Sequence, residues 1–275
     1  KKTHAIDREL ISKLQHINLL YELEFKDNLR DIELIKTENV NLNEKFVMEK
    51  FNILKGFNNG ISNIFPGSGY FDFYNDKFFI MSSRGILAYS DDFDKELSFK
   101  QIKNNIETFI GIEQFKKHKS FSLKDLTIIN DLIFISFSEE IEVDCWNTSI
   151  IYAQINFENI KFKKLFTPSK CIHSMNNKDG DFNSSQAGGR IISFDKDHIL
   201  YSVGEYRSRH LAQEEESING KIIKININNF DYEIISMGHR NPQGLYFDKE
   251  KNIILETEHG PMGGDEINII EKNIV

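Results

Sequence analysis

Residues 238–244 read Gly-His-Arg-Asn-Pro-Gln-Gly, and residues 258–266 read Glu-His-Gly-Pro-Met-Gly-Gly-Asp-Glu. Between them lies one apolar run, from Leu245 to Leu255. The run has the length of a strand, and glycine or proline marks the polar segment at each end. This pattern predicts a buried strand with a loop at each tip, and loops held by a rigid scaffold are where binding residues concentrate.

The side chains of both loops are suited to binding. Arg240 carries a planar fork of donors that fits carboxylates, and Asn241 offers both a donor and an acceptor. In the second loop, the glycines allow backbone carbonyls to approach a ligand or a cation, while Asp265 and Glu266 supply hard oxygen atoms. The alternative interpretation is a polar connection followed by an ordinary turn.

A strand–turn–strand unit recurs along the chain at intervals of about 50 to 65 residues. The predicted hairpins, each with Asn or Asp at the turn, are 70–82, 126–138, 190–203 and 244–256. Further strand pairs lie between them, at 85–89 with 99–102, 149–157 with 161–166, and 221–227 with 232–237. Four strands per repeat predict an all-β fold of the β-propeller type, with about four blades in this chain. A β-sandwich is the alternative, but it does not give this repeat of paired hairpins.

The N-terminal segment has a different pattern. Asp7 is a possible N-cap for a helix whose apolar residues follow helical spacing at Ile6, Leu10, Ile11, Leu14, Ile17 and Leu20. We therefore predict a helical and extended segment over 1–50 and a partial propeller domain over 51–275. The first residue is Lys, and nothing before Thr3 resembles the apolar part of a signal peptide. A removed leader or an excerpt of a longer chain is expected.

The composition excludes several classes of protein. The chain has 275 residues, enough for one large domain, and its 23 Phe against 4 Pro suit aromatic-packed strands. The net charge is -8 and no basic block occurs, which argues against nucleic acid as a partner. No apolar run approaches the length of a transmembrane span.

The two cysteines bracket one of the predicted strand pairs. Cys145 and Cys171 are roughly equidistant from the turn near Glu158, so antiparallel pairing would bring them together at the open end. A disulfide there would suit an exported protein. Two separate buried thiols are the alternative.

The two segments quoted first resemble the soluble quinoprotein glucose and aldose sugar dehydrogenases, the glucose/sorbosone dehydrogenase family. The resemblance covers the chain from about Phe71, and it implies a six-bladed propeller that holds pyrroloquinoline quinone (PQQ) and calcium on its axis. Only four repeats are visible, and the fourth begins at Gln243 and stops at Val275. We therefore expect a fragment, because an open propeller would leave strand edges exposed.

The resemblance also implies a catalytic base that this sequence lacks. In the family a histidine at the start of the third blade removes the proton of the sugar hydroxyl, and Gln186 stands at the matching position. An amide cannot accept a proton near neutral pH, and a one-residue shift would place Ser185 there, which is no better. Glu205 matches the carboxylate that orients the family histidine. The conceivable replacements for the base, each of which also fits an ordinary solvated side chain, are Glu205, His173 and His210.

The resemblance assigns cofactor and metal contacts to residues that are present. Arg240 and Asn241 match the pair that contacts the quinone. Gly260 and Pro261 match the residues whose carbonyls hold the active-site calcium, and Glu266 matches a ligand of a structural calcium.

Two further stretches depart from the family or stay ambiguous. A family glutamine that touches the quinone has no counterpart in 119–123, which reads Lys-Ser-Phe-Ser-Leu. The loop at 207–213 carries two arginines that would favour an anionic ligand if they faced the axis. The alternative for this loop is a solvated charged segment.

The resemblance implies a PQQ- and calcium-dependent oxidoreductase that oxidises the anomeric carbon of an aldose and passes electrons to an acceptor, in the periplasm or outside the cell. Because Gln186 replaces the family base, the second hypothesis is a catalytically inactive propeller that binds a ligand or partner at the same axial mouth. A third is a calcium-dependent propeller hydrolase such as a lactonase, although few side-chain carboxylates or amides are expected at the axis.

Overall fold

The computed structural model describes residues 13, 17, 19–20, 23–24, 26–29, 31–43, 46–53, 69–91, 98–118 and 120–270. Strands dominate this part of the chain. In chain order they are β1 (Ile32–Asn43), β2 (Phe46–Ile53), β3 (Gly69–Tyr74), β4 (Lys77–Ser82), β5 (Leu87–Ser90), β6 (Ser98–Asn104), β7 (Leu123–Ile129), β8 (Leu132–Glu142), β9 (Cys145–Gln154), β10 (Asn159–Ile160), β11 (Lys163–Phe166), β12 (Ile172–His173), β13 (Gly188–Ser193), β14 (His198–Val203), β15 (Lys221–Asn226), β16 (Tyr232–Met237), β17 (Pro242–Asp248), β18 (Ile253–Glu258) and β19 (Glu266–Ile270). An α-helix at Ile112–Lys117 and 3₁₀ turns at Ile106–Thr108 and Arg209–Gln213 lie between strands.

The predicted N-terminal helix is present where the structure describes it, since the described residues between 13 and 27 are helical. Leu19 is buried, whereas Ile17 and Leu20 are exposed, so the buried face differs from the predicted apolar stripe at these positions. The other predicted positions lie outside the described residues: Ile6, Asp7, Leu10, Ile11 and Leu14.

The chain separates into two compact units, and the first comprises residues 1–105 with 156–160. Its sheet has the order β2-β1-β6-β5-β4-β3, with β10 pairing in parallel on β6. The predicted hairpin at 70–82 is confirmed as β3 and β4, and its turn residues Asn75 and Asp76 both have positive φ. Asn and Asp tolerate that conformation, which two-residue hairpin turns require.

The long hairpin of β1 and β2 in the first unit was not predicted. Residues 32–53 mix charged and apolar side chains without a clear period of two, so the sequence carries little strand signal there. The domain boundary predicted at residue 50 falls within β2. The division of the chain into domains at that point stays a prediction.

The second unit, residues 106–155 and 161–275, contains three antiparallel sheets in chain order. Their strand orders are β11-β9-β8-β7, with β12 also on β9, then β13-β14-β15-β16, then β17-β18-β19. The predicted hairpins of this region are confirmed as β7 with β8, β13 with β14, and β17 with β18. Successive antiparallel meanders of this kind are the blades of a propeller.

The core of the second unit lies between successive sheets, and β14 shows how it forms. Ile199, Tyr201 and Val203 are buried with β8, β9 and β15 side chains in one apolar cluster. Leu200, pointing the other way, is buried with Ile254 of β18 in another. Alternation with a period of two therefore lets one strand contribute to two apolar layers, and burying each large side chain stabilises the fold by roughly 1.5–3 kcal/mol.

A disulfide joins Cys145 and Cys171, whose Cα atoms are 5.3 Å apart. The strand pairing explains the proximity, because β11 and β12 both pair antiparallel with β9, and His173 lies opposite Cys145. Of the two alternatives left open by the sequence, the disulfide is the one the structure contains. Among the helices that the structure describes, none is long and apolar enough to cross a membrane.

Candidate functional site

Three loops of the second unit lie against one another. One leads into β13, one follows β14 and one precedes β17. Backbone hydrogen bonds join them: the Gly204 N–H donates to Ala187 O (2.9 Å), and the Tyr206 N–H to Gln186 O (3.0 Å). The Glu205 N–H donates to the carbonyl of Arg240 (3.0 Å). Residues far apart in sequence are thus held at fixed positions by main-chain contacts, independently of their side chains.

Gly204 is required by the close approach of two of these loops. A Cβ at this position would lie 2.2 Å from the carbonyl oxygen of Gln186. The two residues after Glu205, Tyr206 (φ 53°) and Arg207 (φ 70°), both adopt the left-handed conformation. Strained non-glycine backbone of this kind persists only where surrounding structure holds it, and it concentrates at functional sites.

Gln186, Glu205 and Arg240 form a hydrogen-bonded chain. Assigned from its two neighbours, the Gln186 amide accepts through its oxygen from Arg240 Nη2 (2.7 Å) and donates through its nitrogen to Glu205 Oε1 (3.3 Å). Gln186 and Glu205 are both buried. The structure therefore brings together the two residues predicted at the catalytic position and one of the two predicted at the cofactor.

The Glu205 carboxyl is tuned by its surroundings. Burial raises its pKa, nearby Arg209 and Arg240 lower it, Asp179 and Glu258 raise it, and the net pKa lies above the ordinary value. A carboxyl whose pKa is moved toward neutrality is better matched to accepting and returning a proton. Gln186 cannot accept a proton near neutral pH, but its amide can orient the Glu205 carboxyl.

Arg240 links this chain to the second loop of the sequence motif. Its Nη1 donates to the carbonyls of His259 (2.7 Å) and Gly260 (2.9 Å). Asn241 is buried beside it, and its Oδ1 accepts from the Gly188 N–H (3.1 Å). The two residues predicted at the quinone are therefore adjacent and rigidly held.

The residues predicted at calcium lie in two different settings. Gly260 and Pro261 belong to a tight loop in which the Gly260 N–H donates to Asp265 Oδ1 (3.1 Å) and the Gly264 N–H to Pro261 O (3.1 Å). A Cβ on Gly260 would lie 1.7 Å from Gly264 O, so only glycine closes this loop. Glu266 begins β19, opposite Glu258, and its carboxylate accepts from Asn268 (3.2 Å).

The alternative bases differ in their surroundings. His210 Nδ1 lies 2.6 Å from Asp179, one of the carboxylates that influence Glu205. His173 is exposed on the short strand β12, and Ser185 is exposed. Of these, His210 belongs to the charged group around Glu205, but Glu205 alone is bonded to Gln186.

The arginine-rich loop is engaged by a carboxylate of its own unit. Arg207 Nη1 and Arg209 Nη2 lie 3.3 and 3.4 Å from Asp181 Oδ2, and Arg209 remains largely exposed. Exposed pairs of this geometry are weak. The loop is thus a partly solvated charged segment, one of the two alternatives left by the sequence, and Arg209 still acts on Glu205 through its charge.

Sequence reasoning missed a buried cluster behind Arg240 and Asn241. Glu258 Oε2 accepts from the backbone N–H groups of Arg240 (2.6 Å) and Asn241 (3.2 Å). His239 and Glu256 are buried next to it. The available signal was the spacing of the two glutamates, since residues i and i+2 of a strand lie on the same face.

A family model matches the part of the chain that contains this site, and a known relative matches more than half of the chain. The family model described as Glucose / Sorbosone dehydrogenase matches residues 121–274, more than half of the chain. Aldose sugar dehydrogenase YliI of Escherichia coli is 26% identical over 180 residues, which are 59% of this chain and 47% of that protein. The chain therefore spans about half the length of this relative.

Solved structures support the fold. The crystal structure of the soluble aldose sugar dehydrogenase from Escherichia coli, in the apo-form, matches with a TM-score of 0.58 and 23% identity over 74% of this chain and 60% of that one. The PQQ-bound form of the aldose sugar dehydrogenase from Streptomyces coelicolor matches with a TM-score of 0.54 and 18% identity, over 71% and 57% of the two chains. The predicted all-β, partial propeller fold is confirmed. With its family model matched across all three sheets of the second unit, the chain belongs to the Glucose / Sorbosone dehydrogenase family.

Proposed function

We propose that the protein is an oxidoreductase of the aldose sugar dehydrogenase type, dependent on PQQ and Ca²⁺, that oxidises the anomeric carbon of a sugar. The observation that supports this proposal is the chain Glu205–Gln186–Arg240, in which a carboxyl, an amide and a guanidinium are in continuous contact. Family membership and the PQQ-bound neighbour support the choice of cofactor.

The donor set fits an anionic quinone. Arg240 supplies a guanidinium that is already fixed by two carbonyls, and Asn241 lies next to it. The carbonyls of Gly260 and Pro261 are hard oxygens of the kind Ca²⁺ prefers, and a carbonyl oxygen that accepts one hydrogen bond keeps a second lone pair. Glu266 would serve a separate structural calcium. When bound, PQQ supplies the acceptor for the hydride that leaves the substrate carbon.

The proposed role of Glu205 is to accept the proton of the sugar hydroxyl on a carboxylate oxygen. Its raised pKa makes it a stronger base than an ordinary glutamate. Gln186 holds Glu205 in place by donating to Oε1, and Arg240 fixes the amide from its other end. The three residues would together replace the histidine and carboxylate pair of the family.

The second candidate is a catalytically inactive propeller that binds a ligand or partner at the same place. The observation that favours it is the Gln186 amide, whose two ends are already bonded to Glu205 and Arg240. A periplasmic or extracellular location is proposed for either function, because disulfides such as Cys145–Cys171 persist in oxidising compartments. The partners proposed for the enzyme are a small sugar and an electron acceptor.

The test measures binding and turnover separately. The protein is titrated with PQQ in the presence of Ca²⁺ by equilibrium dialysis, and aldose-dependent reduction of an artificial acceptor is then assayed. For the enzyme we expect binding with turnover, and loss of about 10²- to 10⁴-fold in turnover for Glu205→Gln with PQQ binding retained. His210→Gln serves as the matched control and should keep most of the turnover.

The remaining outcomes decide between the two candidates. PQQ binding without turnover, with turnover gained by Gln186→His, would establish the inactive propeller as the correct function. Absence of PQQ binding at millimolar Ca²⁺ would overturn the quinoprotein proposal itself. Equal loss of turnover in Glu205→Gln and His210→Gln would remove Glu205 from its proposed role.

A further inference from the structure

The buried cluster behind Arg240 contains one imidazole and two carboxylates. His239 precedes β17, and Glu256 and Glu258 share one face of β18. His239 Nδ1 lies 3.4 Å from Glu258 Oε1 and 3.8 Å from Glu256 Oε2. One ligand atom from each of the three residues lies within 4.8 Å of the other two.

Among the described residues, the carboxylate of Glu256 is poorly compensated, whereas Glu258 accepts two backbone hydrogen bonds. Glu256 is fully buried, and its Oε1 has no hydrogen-bond partner among the residues that the structure describes. Within the same described ranges, neither Glu256 nor Glu258 forms an ion pair with Lys or Arg. Burying a carboxylate without a compensating charge or hydrogen bond costs several kcal/mol, so the arrangement calls for a cationic partner.

Each of the three residues is also held by a second group. His239 Nε2 lies 2.8 Å from Ser236 Oγ, Glu258 Oε2 accepts from two backbone N–H groups, and Glu256 Oε2 accepts from Asn268 Nδ2 (3.0 Å). Such outer contacts are what orients metal ligands in proteins, and a ligating histidine normally donates its other ring N–H. His239 Nδ1 faces the two carboxylates, and it can carry a proton shared with Glu258 or, when Nε2 carries the proton, offer a lone pair to a cation.

We propose that His239, Glu256 and Glu258 form a binding site for one divalent transition-metal cation of the Zn²⁺ class. An imidazole nitrogen with two carboxylates suits this class, whereas Ca²⁺ takes oxygen ligands almost exclusively. In a tetrahedral site with metal–ligand bonds of about 2.0–2.1 Å, ligand atoms lie roughly 3.3 Å apart. The observed separation of 3.4 Å between His239 Nδ1 and Glu258 Oε1 matches that spacing, and water completes the coordination.

The cation has a structural consequence for the candidate site. Glu258 holds the backbone N–H groups of Arg240 and Asn241, and His239 is the residue before them. A metal bound to His239 and Glu258 therefore fixes the strand tip that presents both side chains. This inference does not depend on PQQ or on turnover, because the three ligands are distinct from the residues assigned to either.

The test uses Zn²⁺ alone. The protein is stripped with a chelator, dialysed against Zn²⁺ and analysed for bound metal, and affinity is measured by competition with a chelating dye. We expect one Zn²⁺ per chain, weakened about 100-fold or more in Glu256→Gln and in His239→Gln. His210→Gln is the matched control, since it alters a histidine that pairs with Asp179 in the same unit, and it should leave Zn²⁺ binding unchanged.

The variants also report on folding, so each outcome is decisive. Zn²⁺ should raise the Tm of the wild-type protein and of His210→Gln but not of Glu256→Gln, whose Tm without metal should equal or exceed that of the stripped wild type. If His239→Gln does not fold, Glu256→Gln decides alone. Absence of stoichiometric Zn²⁺, or equal binding by wild type and Glu256→Gln, would overturn the proposal and leave a cluster that shares a proton instead.

Discussion

At the scale of single residues, the close contacts of the candidate site depend on groups that have no near substitute. Gly204 carries no Cβ because one would lie 2.2 Å from Gln186 O, and that atom is a backbone oxygen that cannot rotate away. Gly204→Ala should destabilise the protein by roughly 2–4 kcal/mol, measured by urea unfolding. Gly111→Ala is the control: its nearest atom would lie 3.4 Å away, and the cost should stay below about 1 kcal/mol. Equal costs would contradict the steric argument.

Arg240 depends on the shape of its guanidinium as well as on its charge. The Arg240 fork reaches Gln186 with Nη2 and the carbonyls of His259 and Gly260 with Nη1. Lysine offers a single point charge, so Arg240→Lys should lose part of these bonds, lower stability by about 1–2 kcal/mol and weaken PQQ binding. Arg207→Lys, which alters a solvent-facing pair with Asp181, should change stability by less than about 0.5 kcal/mol. A larger effect at Arg207 than at Arg240 would show that the fork is not the important feature.

At the scale of elements, the strand β9 is tied to β12 by the Cys145–Cys171 disulfide, which closes a segment of 26 residues. In the chain-entropy treatment such a bridge stabilises the fold by about 3.5 kcal/mol. Replacing both cysteines by serine should therefore lower the free energy of unfolding by roughly 2–4 kcal/mol. The single tryptophan, Trp146, is buried and stacked on Phe121 beside the disulfide, so its fluorescence follows the transition. Unfolding that is unchanged by the double substitution would contradict this prediction.

The elements also show what the sequence could predict. Hairpins such as β3–β4 and β17–β18 were predictable because alternation and turn chemistry are local, and Asn75 and Asn252 adopt the positive φ that those turns need. The contact between Gln186 and Arg240 could not be predicted from the sequence, because it joins residues 54 positions apart through loop packing. The cluster of His239 with Glu256 was missed because the spacing of Glu256 and Glu258 indicates a common strand face but not the burial of that face.

At the scale of the whole molecule, stability in the second unit depends on how its sheets are joined. Asp125 on β7 is fully buried, and it accepts from Arg190 Nη1 (2.6 Å) and from the Ile191 N–H (2.8 Å) on β13. Thr127 on β7 donates to Ile191 O (2.8 Å) beside it. These polar contacts join the first and second sheets of the unit next to an apolar cluster that both sheets share. A titration at Asp125 therefore acts on sheet packing and so on global unfolding.

The pH dependence of that contact has a definite sign. Burial raises the pKa of Asp125 to about 6 from the ordinary 3.8, although Arg190 and two backbone amides oppose the shift. Below about pH 4 the carboxyl is protonated in both the folded and the unfolded state. Between about pH 4 and 6 the folded state retains a proton that the unfolded state has lost, so this group's contribution to stability falls as pH rises, by at most about 3 kcal/mol.

The Asp125→Asn variant tests this pH dependence of stability, because an amide of the same size does not titrate. The difference in unfolding free energy between wild type and Asp125→Asn should shift against the wild type from pH 4 to pH 7, measured by urea unfolding with Trp146 fluorescence. Asp231→Asn, in the exposed turn between β15 and β16, is the control and should show no such trend. A constant difference between wild type and Asp125→Asn across the range would mean that Arg190 compensates the charge fully. The inter-sheet contact would then be a stable ion pair, and another group would govern the pH dependence of folding.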